Sequence, residues 1–214
     1  YGEGRVSIID HFDPDKLADA LYEKFDLPPI LQGDFIALGG KREIVNLAVN
    51  HLHEHAPAPS DVVELPSGAP FGTIEVNTDG CTLCLSCVSA CPTGALKDNP
   101  DSPQFTFTET SCVQCGLCRT TCPESVVTLE ARMDLSKWTS TPRVLREEDP
   151  FQCVRCSKPF GVRSSVEHMV TKLRDHPMFA NDESALDRIR MCEDCRVVAQ
   201  FDTKQPLALG PRSR

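Results

Sequence analysis

All twelve cysteines of this 214-residue sequence stand in groups built on the C-x-x-C spacing. The groups are Cys81, Cys84, Cys87 and Cys91; Cys112, Cys115, Cys118 and Cys122; Cys153 and Cys156; and Cys192 and Cys195. Thiolates at this spacing can converge on one metal centre, and no isolated cysteine is left over for another purpose. We therefore expect metal centres in a reducing compartment, and a cytoplasmic location, rather than a secreted disulfide framework.

Eight of these cysteines belong to an internal repeat with a shift of 31 residues. Residues 73–98 and 104–129 both contain the pattern C-x-x-C-x-x-C-x-x-x-C-P. The flanking residues that match under the same shift include Ile74 and Phe105, Val76 and Phe107, and Pro92 and Pro123. Each half of the repeat therefore predicts a strand, a cysteine loop, a short helix and a second strand.

Over about residues 72–131, this repeat resembles bacterial ferredoxins that carry two [4Fe-4S] clusters. In that family the fourth cysteine of each motif binds the other cluster. The resemblance implies Cys81, Cys84, Cys87 and Cys122 as ligands of one cluster, and Cys91, Cys112, Cys115 and Cys118 as ligands of the other. Gly116 would let the backbone approach a cluster closely. Two structural zinc sites are the alternative, but zinc does not require this eight-cysteine repeat with its prolines.

The remaining four cysteines predict a separate metal centre near the C-terminus. Cys153, Cys156, Cys192 and Cys195 form two C-x-x-C knuckles around a 35-residue insert with helical patterning. This arrangement resembles a four-cysteine zinc ribbon, so we expect one structural zinc ion. Rubredoxin-like iron and a third iron–sulfur cluster are the alternatives. His168 and His176 are further possible ligands, but with four cysteines present the zinc ion does not need them.

The elements around the cysteines predict a chain of small modules. In residues 1–56 we expect a small α/β segment, with strands at 6–9 and 35–38 and helices at 14–25 and 41–55. The other predicted modules are a Pro-rich linker at 57–71, a ferredoxin domain at 72–135, a linker at 136–150, a zinc-binding module at 151–200 and a tail at 201–214. The predicted fold class is α+β: a ferredoxin-like two-cluster (βαβ)2 module, flanked by the N-terminal segment and by a helical zinc-ribbon-like module.

Two weaker candidates lie in the N-terminal segment. Gly39 and Gly40, before Lys41, could cradle a phosphate, but the complete phosphate-loop pattern is missing. His51 and His55 share a helix face and could hold a metal ion. We favour a structural interpretation, because histidine near a helix C-terminus suits the helix dipole.

Charge and hydropathy limit the partners. Residues 1–150 contain 11 basic and 23 acidic side chains, net −12, whereas residues 151–214 contain 11 and 8, net +3. The acidic part predicts a protein partner with a basic docking face. Arg188, Arg190 and Arg196 do not form the dense basic stripe that nucleic-acid binding needs. The sequence shows no apolar run long enough for a membrane span and no secretory signal in residues 1–20.

All-cysteine ligation leaves no visible open site for a substrate, so the expected function is electron transfer by a non-catalytic subunit of an oxidoreductase complex. The alternative is an iron–sulfur regulator that senses redox state or oxygen and uses the zinc module to bind a partner or nucleic acid. The order of the modules also resembles the C-terminal portion of larger 4Fe-4S proteins associated with formate dehydrogenases. That wider resemblance implies a formate dehydrogenase as the partner.

Overall fold

A computed structural model describes residues 8–23, 30–36, 38–137, 141–179 and 182–202. The chain divides into two compact units. The first contains the described residues before Pro66 and the segment that starts at Arg132. The second contains Pro66–Ala131 and the described residues from Thr141 onward, so all twelve cysteines lie in it.

The first unit contains the two predicted N-terminal helices, α1 (Pro14–Tyr22) and α2 (Lys41–Glu54). Asp13 caps α1 as its side chain accepts a hydrogen bond from the backbone N–H of Asp15 at 3.0 Å, and Pro14 occupies the first turn. Neither helix contains a buried residue, so the predicted apolar stripes are not packed into a core there.

The two strands predicted for this segment are not found where the structure describes it. Ile8 and Ile9 lie outside any strand, as do Phe35, Ile36 and Leu38; residues 6, 7 and 37 lie outside the described residues. An apolar run becomes a strand only if a neighbouring strand satisfies its backbone groups, and no described residue pairs with these runs.

One short antiparallel pair completes the first unit. Strand β1 (Val62–Glu64) pairs with β6 (Arg132–Asp134), in the register Val63 opposite Met133. Strand β1 lies within 57–71, which we expected to be an extended linker throughout. A 3₁₀ turn (Leu135–Lys137) follows β6, where the backbone N–H of Leu135 donates to Asp61 O at 2.6 Å.

In the second unit, each half of the repeat contains the predicted strand, cysteine loop, short helix and strand. The elements are β2 (Thr73–Val76), α3 (Ser86–Ser89) and β3 (Leu96–Asp98), followed by β4 (Gln104–Phe107), α4 (Leu117–Thr121) and β5 (Val127–Glu130). A 3₁₀ turn at Glu109–Ser111 precedes the second cysteine loop. Strand β2 pairs with β5, and β3 pairs with β4, both antiparallel. The first and last strands of the repeat are therefore neighbours.

A further strand, β7 (Arg143–Glu147), extends the β3–β4 pair into a three-stranded sheet. This corrects the expectation of a linker over residues 136–150. The prolines that suggested a linker, Pro142 and Pro150, stand outside β7, where they remove no hydrogen bond from its pairing with β4.

The core of the second unit lies between these strands and the cysteine loops. Its buried members are Ile74, Leu83, Ala95, Leu96, Phe105, Phe107, Cys112 and Val127. The two halves supply equivalent residues, because Ile74 and Phe105 are related by the 31-residue shift and each is 1% exposed. The alternation that predicted the strands is thus the alternation that fills the core.

The C-terminal module combines a hairpin with three helices. Strands β8 (Pro150–Gln152) and β9 (Pro159–Val162) pair around the first cysteine knuckle and precede helices α5 (Arg163–Arg174), α6 (Glu183–Ile189) and α7 (Glu193–Asp202). Val166 and Val170 of α5 are buried, whereas Met169 is 46% exposed. Helices α5 and α6 confirm the helical patterning of the 35-residue insert, while the hairpin and α7 were not anticipated.

Gly72 occupies a position that has no room for a side chain. A Cβ atom built there would lie 2.2 Å from the backbone oxygen of Glu130. We expect Gly72→Ala to reduce the free energy of unfolding by about 1–3 kcal/mol, because backbone atoms must move apart. The measurement is thermal unfolding by circular dichroism under anaerobic conditions.

Gly68→Ala is the matched control. A Cβ atom at Gly68 meets nothing within 4 Å, but its φ of +89° is unfavourable for alanine. The loss of stability in this variant comes from the unfavourable φ alone, and we expect it to be about 1 kcal/mol. An equal or smaller loss of stability in Gly72→Ala would contradict the packing argument.

Candidate metal centres

The two cysteine loops repeat one another in backbone conformation as well as in sequence. Leu83 and Gln114 are equivalent under the 31-residue shift and have φ of 52° and 53°. Leu85 and Gly116 are also equivalent, with φ of 59° and 78°. This left-handed backbone is costly for leucine and easy for glycine. Gly116 therefore adopts this positive φ without strain, whereas the equivalent Leu85 in the first half adopts it at a cost.

Site 1 is a small cavity in the second unit that is lined by four cysteines. Its cysteines are Cys81, Cys84 and Cys87 from the first half and Cys122 from the second half. The other lining residues are Val76, Thr82, Leu83, Leu85, Phe105, Glu124, Val126 and Val127. Apart from Glu124 and Thr82, the wall around the four thiols is apolar.

Site 2 is the equivalent small cavity, also lined by four cysteines. Its cysteines are Cys112, Cys115 and Cys118 from the second half and Cys91 from the first half. The other lining residues are Ile74, Thr93, Ala95, Leu96, Phe107, Val113, Gln114, Gly116 and Leu129. None of these side chains is charged.

The structure thus brings together the two groups of four cysteines that the ferredoxin resemblance implies. The fourth cysteine joins the other half's site because α3 and α4 pack against each other. Each helix carries the third cysteine of its own motif and leads to the fourth.

Both sites reach the surface at one cysteine. Cys84 in site 1 and Cys115 in site 2 are exposed, while the other six cysteines of the repeat are buried or half-buried. The two exposed residues are equivalent under the 31-residue shift. Each site therefore has one edge within reach of a partner and an interior shielded from water.

Burial opposes ionisation of the thiols in both sites. It raises the pKa of Cys81, Cys87, Cys112 and Cys118. The pKa of Cys87 reaches about 12. Because only the thiolate binds a metal, loading of these sites must release protons and is favoured by higher pH.

Hydrogen bonds counteract this effect in each site. For Cys84 and Cys91, burial also favours a higher pKa, but the net pKa of both thiols is lowered. Hydrogen bonds from Ser86 to Cys84 and from the backbone N–H of Leu96 to Cys91 contribute to this lowering. In site 2, Gln114 Nε2 lies 3.5 Å from Cys112 Sγ and also donates to Thr73 O at 2.9 Å. Sequence reasoning missed Gln114, whose equivalent in the first half is the apolar Leu83.

The C-terminal cysteines form a third and tighter group. One ligand atom from each of Cys153, Cys156, Cys192 and Cys195 lies within 4.8 Å of the others. The Sγ atoms of Cys156 and Cys192 are 3.7 Å apart. Four sulfurs bound at about 2.3 Å to one tetrahedral ion would be about 3.8 Å apart, so the spacing fits a single metal ion.

Local backbone structure positions the two knuckles of this group. The first lies in the β8–β9 hairpin, where Cys153 N–H donates to Lys158 O at 2.9 Å and Ser157 has a φ of 61°. In the second, Cys192 directly precedes α7, and Cys195 lies in its first turn. Thiolates near a helix N-terminus are favoured by the helix dipole.

The electrostatics of this group also favour a cation. Burial opposes ionisation of Cys153, but backbone N–H groups of Cys192 and Cys156 outweigh it and lower the pKa of Cys153 to about 6. The adjacent Cys156 raises the pKa of Cys195 to about 12. Thiols this close cannot all ionise unless a positive ion balances their charge.

The structure does not bring the candidate histidines into a metal site. His168 Nε2 lies 3.3 Å from Glu124 Oε1, and His176 Nδ1 accepts a hydrogen bond from Met178 N–H at 3.2 Å. In the first unit, His51 Nε2 is 2.9 Å from Leu31 O, and His55 Nδ1 is 2.9 Å from His51 O. The four C-terminal cysteines are the only group of three or more close ligands among the described residues.

Sequence reasoning also missed two arginines near sites 1 and 2. Arg143 and Arg146 belong to β7, which sequence reasoning had treated as linker. The run Arg143-Val-Leu-Arg146 between two prolines has the length and the branched apolar residues of a short strand, and that signal could have identified it.

Comparison with known proteins agrees with the central part of this description. Residues 80–127 match the family model for the 4Fe-4S dicluster domain. The match covers the cysteines of both sites and supports iron–sulfur electron transfer as the function of this part of the chain. No curated protein matches the sequence. None of the described helices has the length and apolar character that a membrane span requires.

We expect Cys192→Ser to remove the metal ion from the C-terminal group, because Cys192 is 1% exposed and its sulfur lies inside the group. Elemental analysis of the purified chain measures this loss. His176→Ala is the control and should keep the metal, since His176 lies outside the group. Loss of metal in His176→Ala would show that the ligand set is different.

Proposed function

We propose that this chain is an electron-transfer subunit in which sites 1 and 2 each hold a [4Fe-4S] cluster. The observation that carries the proposal is that eight cysteines form two equivalent apolar cavities, each lined by three cysteines of one half and one of the other. The match of residues 80–127 to the 4Fe-4S dicluster domain supports it. The proposed ligands are those of the ferredoxin resemblance.

The residues present suit such clusters. Each site offers four sulfur donors, apolar walls and backbone N–H groups near the sulfurs, such as that of Leu83 at Cys81 and that of Gln114 at Cys112. Hydrogen bonds to sulfur and exclusion of water are among the means by which proteins set cluster potentials. A cluster bound in either site would accept and release single electrons, and the exposed Cys84 and Cys115 give each site an edge for exchange with a partner.

For the C-terminal group we propose one structural zinc ion. Four cysteines with sulfurs this close complete a tetrahedral shell and leave no open position for a substrate. Iron bound by the same four sulfurs is the alternative that elemental analysis distinguishes. The ion would join the β8–β9 hairpin to the start of α7, and we assign it no role in electron transfer.

The partner in this proposal is a protein. The acidic composition of residues 1–150 suits a partner with a basic docking face, and a formate dehydrogenase is the specific partner that the wider resemblance implies. The contacts of the C-terminal arginines do not favour nucleic acid. Arg188 lies 3.7 Å from Asp182, Arg190 lies 3.3 Å from Asp187, and Arg196 donates to two backbone oxygens. The alternative function as a redox or oxygen-sensing regulator stays a prediction without a specific contact in its favour.

Metal analysis and two single substitutions test the proposal. In anaerobically purified protein we expect about eight iron, eight sulfide and one zinc per chain. Cys122→Ser and Cys118→Ser change cysteines of the same helical region but of different sites. We expect each variant to lose or alter the EPR signal of a different cluster and to keep the other.

Cys84→Ser serves as the reference for site 1, since Cys84 lies in the other half of the repeat. It should affect the same signal as Cys122→Ser. If Cys118→Ser and Cys122→Ser alter the same signal, each half binds its own cluster and the crossed ligand sets are wrong. Iron content near zero in the unsubstituted chain would refute the electron-transfer function itself.

A further inference from the structure

Strand β7, which lies outside the repeat, places one arginine beside each cluster site. In the antiparallel register of β4 and β7, Arg146 is opposite Phe105 and Arg143 is opposite Phe107. Residues directly opposite in such a pair point to the same face of the sheet. Phe105 lines site 1 and Phe107 lines site 2, so both arginines are on the side of the sheet that faces the sites.

The two arginines differ in their surroundings. The side chain of Arg146 is 18% exposed, and Nη2 lies 3.3 Å from Glu148 Oε2. Nη1 donates to Thr78 O. Its Nε is buried and has no hydrogen-bond partner among the described residues. A buried guanidinium with a spare N–H group retains most of its electrostatic effect.

Arg143 is more exposed and is fully engaged by nearby groups. Its side chain is 43% exposed, and Nη2 donates to Thr73 Oγ1 at 2.7 Å and to Ile74 O at 2.9 Å. The guanidinium carbon lies 5.3 Å from the ring centroid of Phe107. Glu75 approaches to 3.5 Å, so solvent and a neighbouring carboxylate screen this charge more strongly.

Site 1 is also the site with negative side chains. Glu124 lines the cavity, with His168 3.3 Å from it, and Glu148 forms the ion pair with Arg146. The Thr78 carbonyl oxygen that accepts from Arg146 Nη1 also accepts from the backbone N–H of Cys81 at 3.3 Å. The guanidinium is therefore close enough to act on a ligand of site 1, and without it the negative charge of Glu124 in the lining would be less compensated.

We propose that Arg146 sets the reduction potential of site 1 relative to site 2. This inference rests on the proposed function, because it needs a cluster in site 1. One electron from a protein partner adds one negative charge at site 1, and no bond or proton changes. The buried positive charge of Arg146 stabilises that added charge and raises the potential of site 1. Arg146 supplies no ligand to site 1 and acts through its charge alone. The proposed ligands are Cys81, Cys84, Cys87 and Cys122.

The test is an EPR-monitored reductive titration of Arg146→Gln in the full chain, with Arg143→Gln as the matched control. We expect Arg146→Gln to shift the midpoint potential of the site 1 cluster to more negative values, with little change at site 2. The site 1 signal is the one that Cys122→Ser alters. Because Arg146 is largely buried, the shift in the midpoint potential should persist at high salt. Any shift in Arg143→Gln should affect the site 2 potential instead and should become smaller at high salt, because Arg143 is more exposed.

Glu148→Gln provides a second variant with the opposite sign. It removes a negative charge next to Arg146 while an amide oxygen can still accept from the Ser164 N–H, so the site 1 potential should rise. Unchanged potentials in both variants, or equal shifts at both sites in Arg146→Gln, would overturn the inference. Iron and sulfide content of the unsubstituted chain tests the proposed function separately, and a chain without clusters would refute both.

Discussion

Sites 1 and 2 are each completed by a cysteine from the other half of the repeat. Cys122 must reach the cavity formed by the first loop, and Cys91 must reach the cavity formed by the second. This exchange requires α3 to lie against α4 and the outer strands β2 and β5 to pair. The halves are therefore interlocked, and neither could form its site alone. Metal–sulfur bonds across the exchange would supply cohesion that a small core lacks.

The same constraint leaves room for the two sites to differ. The repeat reproduces the backbone, including positive φ at Leu83 and Gln114. It does not reproduce the side chains around the thiols: position 93 is a threonine beside site 2, and its equivalent, Glu124, is a carboxylate beside site 1. Two geometrically equivalent centres thus lie in different electrostatic environments. If both sites hold the proposed clusters, unequal reduction potentials are the expected physical consequence of that difference.

Glu148 links the C-terminal module to the sheet. Glu148 follows β7, pairs with Arg146 and accepts hydrogen bonds from the N–H and hydroxyl groups of Ser164 at 3.0 and 2.8 Å. A carboxylate at the start of α5 also suits the helix dipole. The position of the four-cysteine group therefore depends on the same strand that carries the two arginines. Sequence reasoning treated these as separate modules, because nothing local links Glu148 to Ser164.

The sequence by itself determined the features that short spacings encode. The 31-residue shift predicted the strand, loop and helix of each half, and the pattern of residues 14–25 predicted α1, because such patterns act over a few residues. Tertiary structure decided which short apolar runs find a pairing partner: Arg143–Glu147 forms a strand, whereas Ile8 and Ile9 do not. A strand exists only when a partner satisfies its backbone, and that partner, here β4 some 40 residues away, is chosen by long-range packing rather than by local preference.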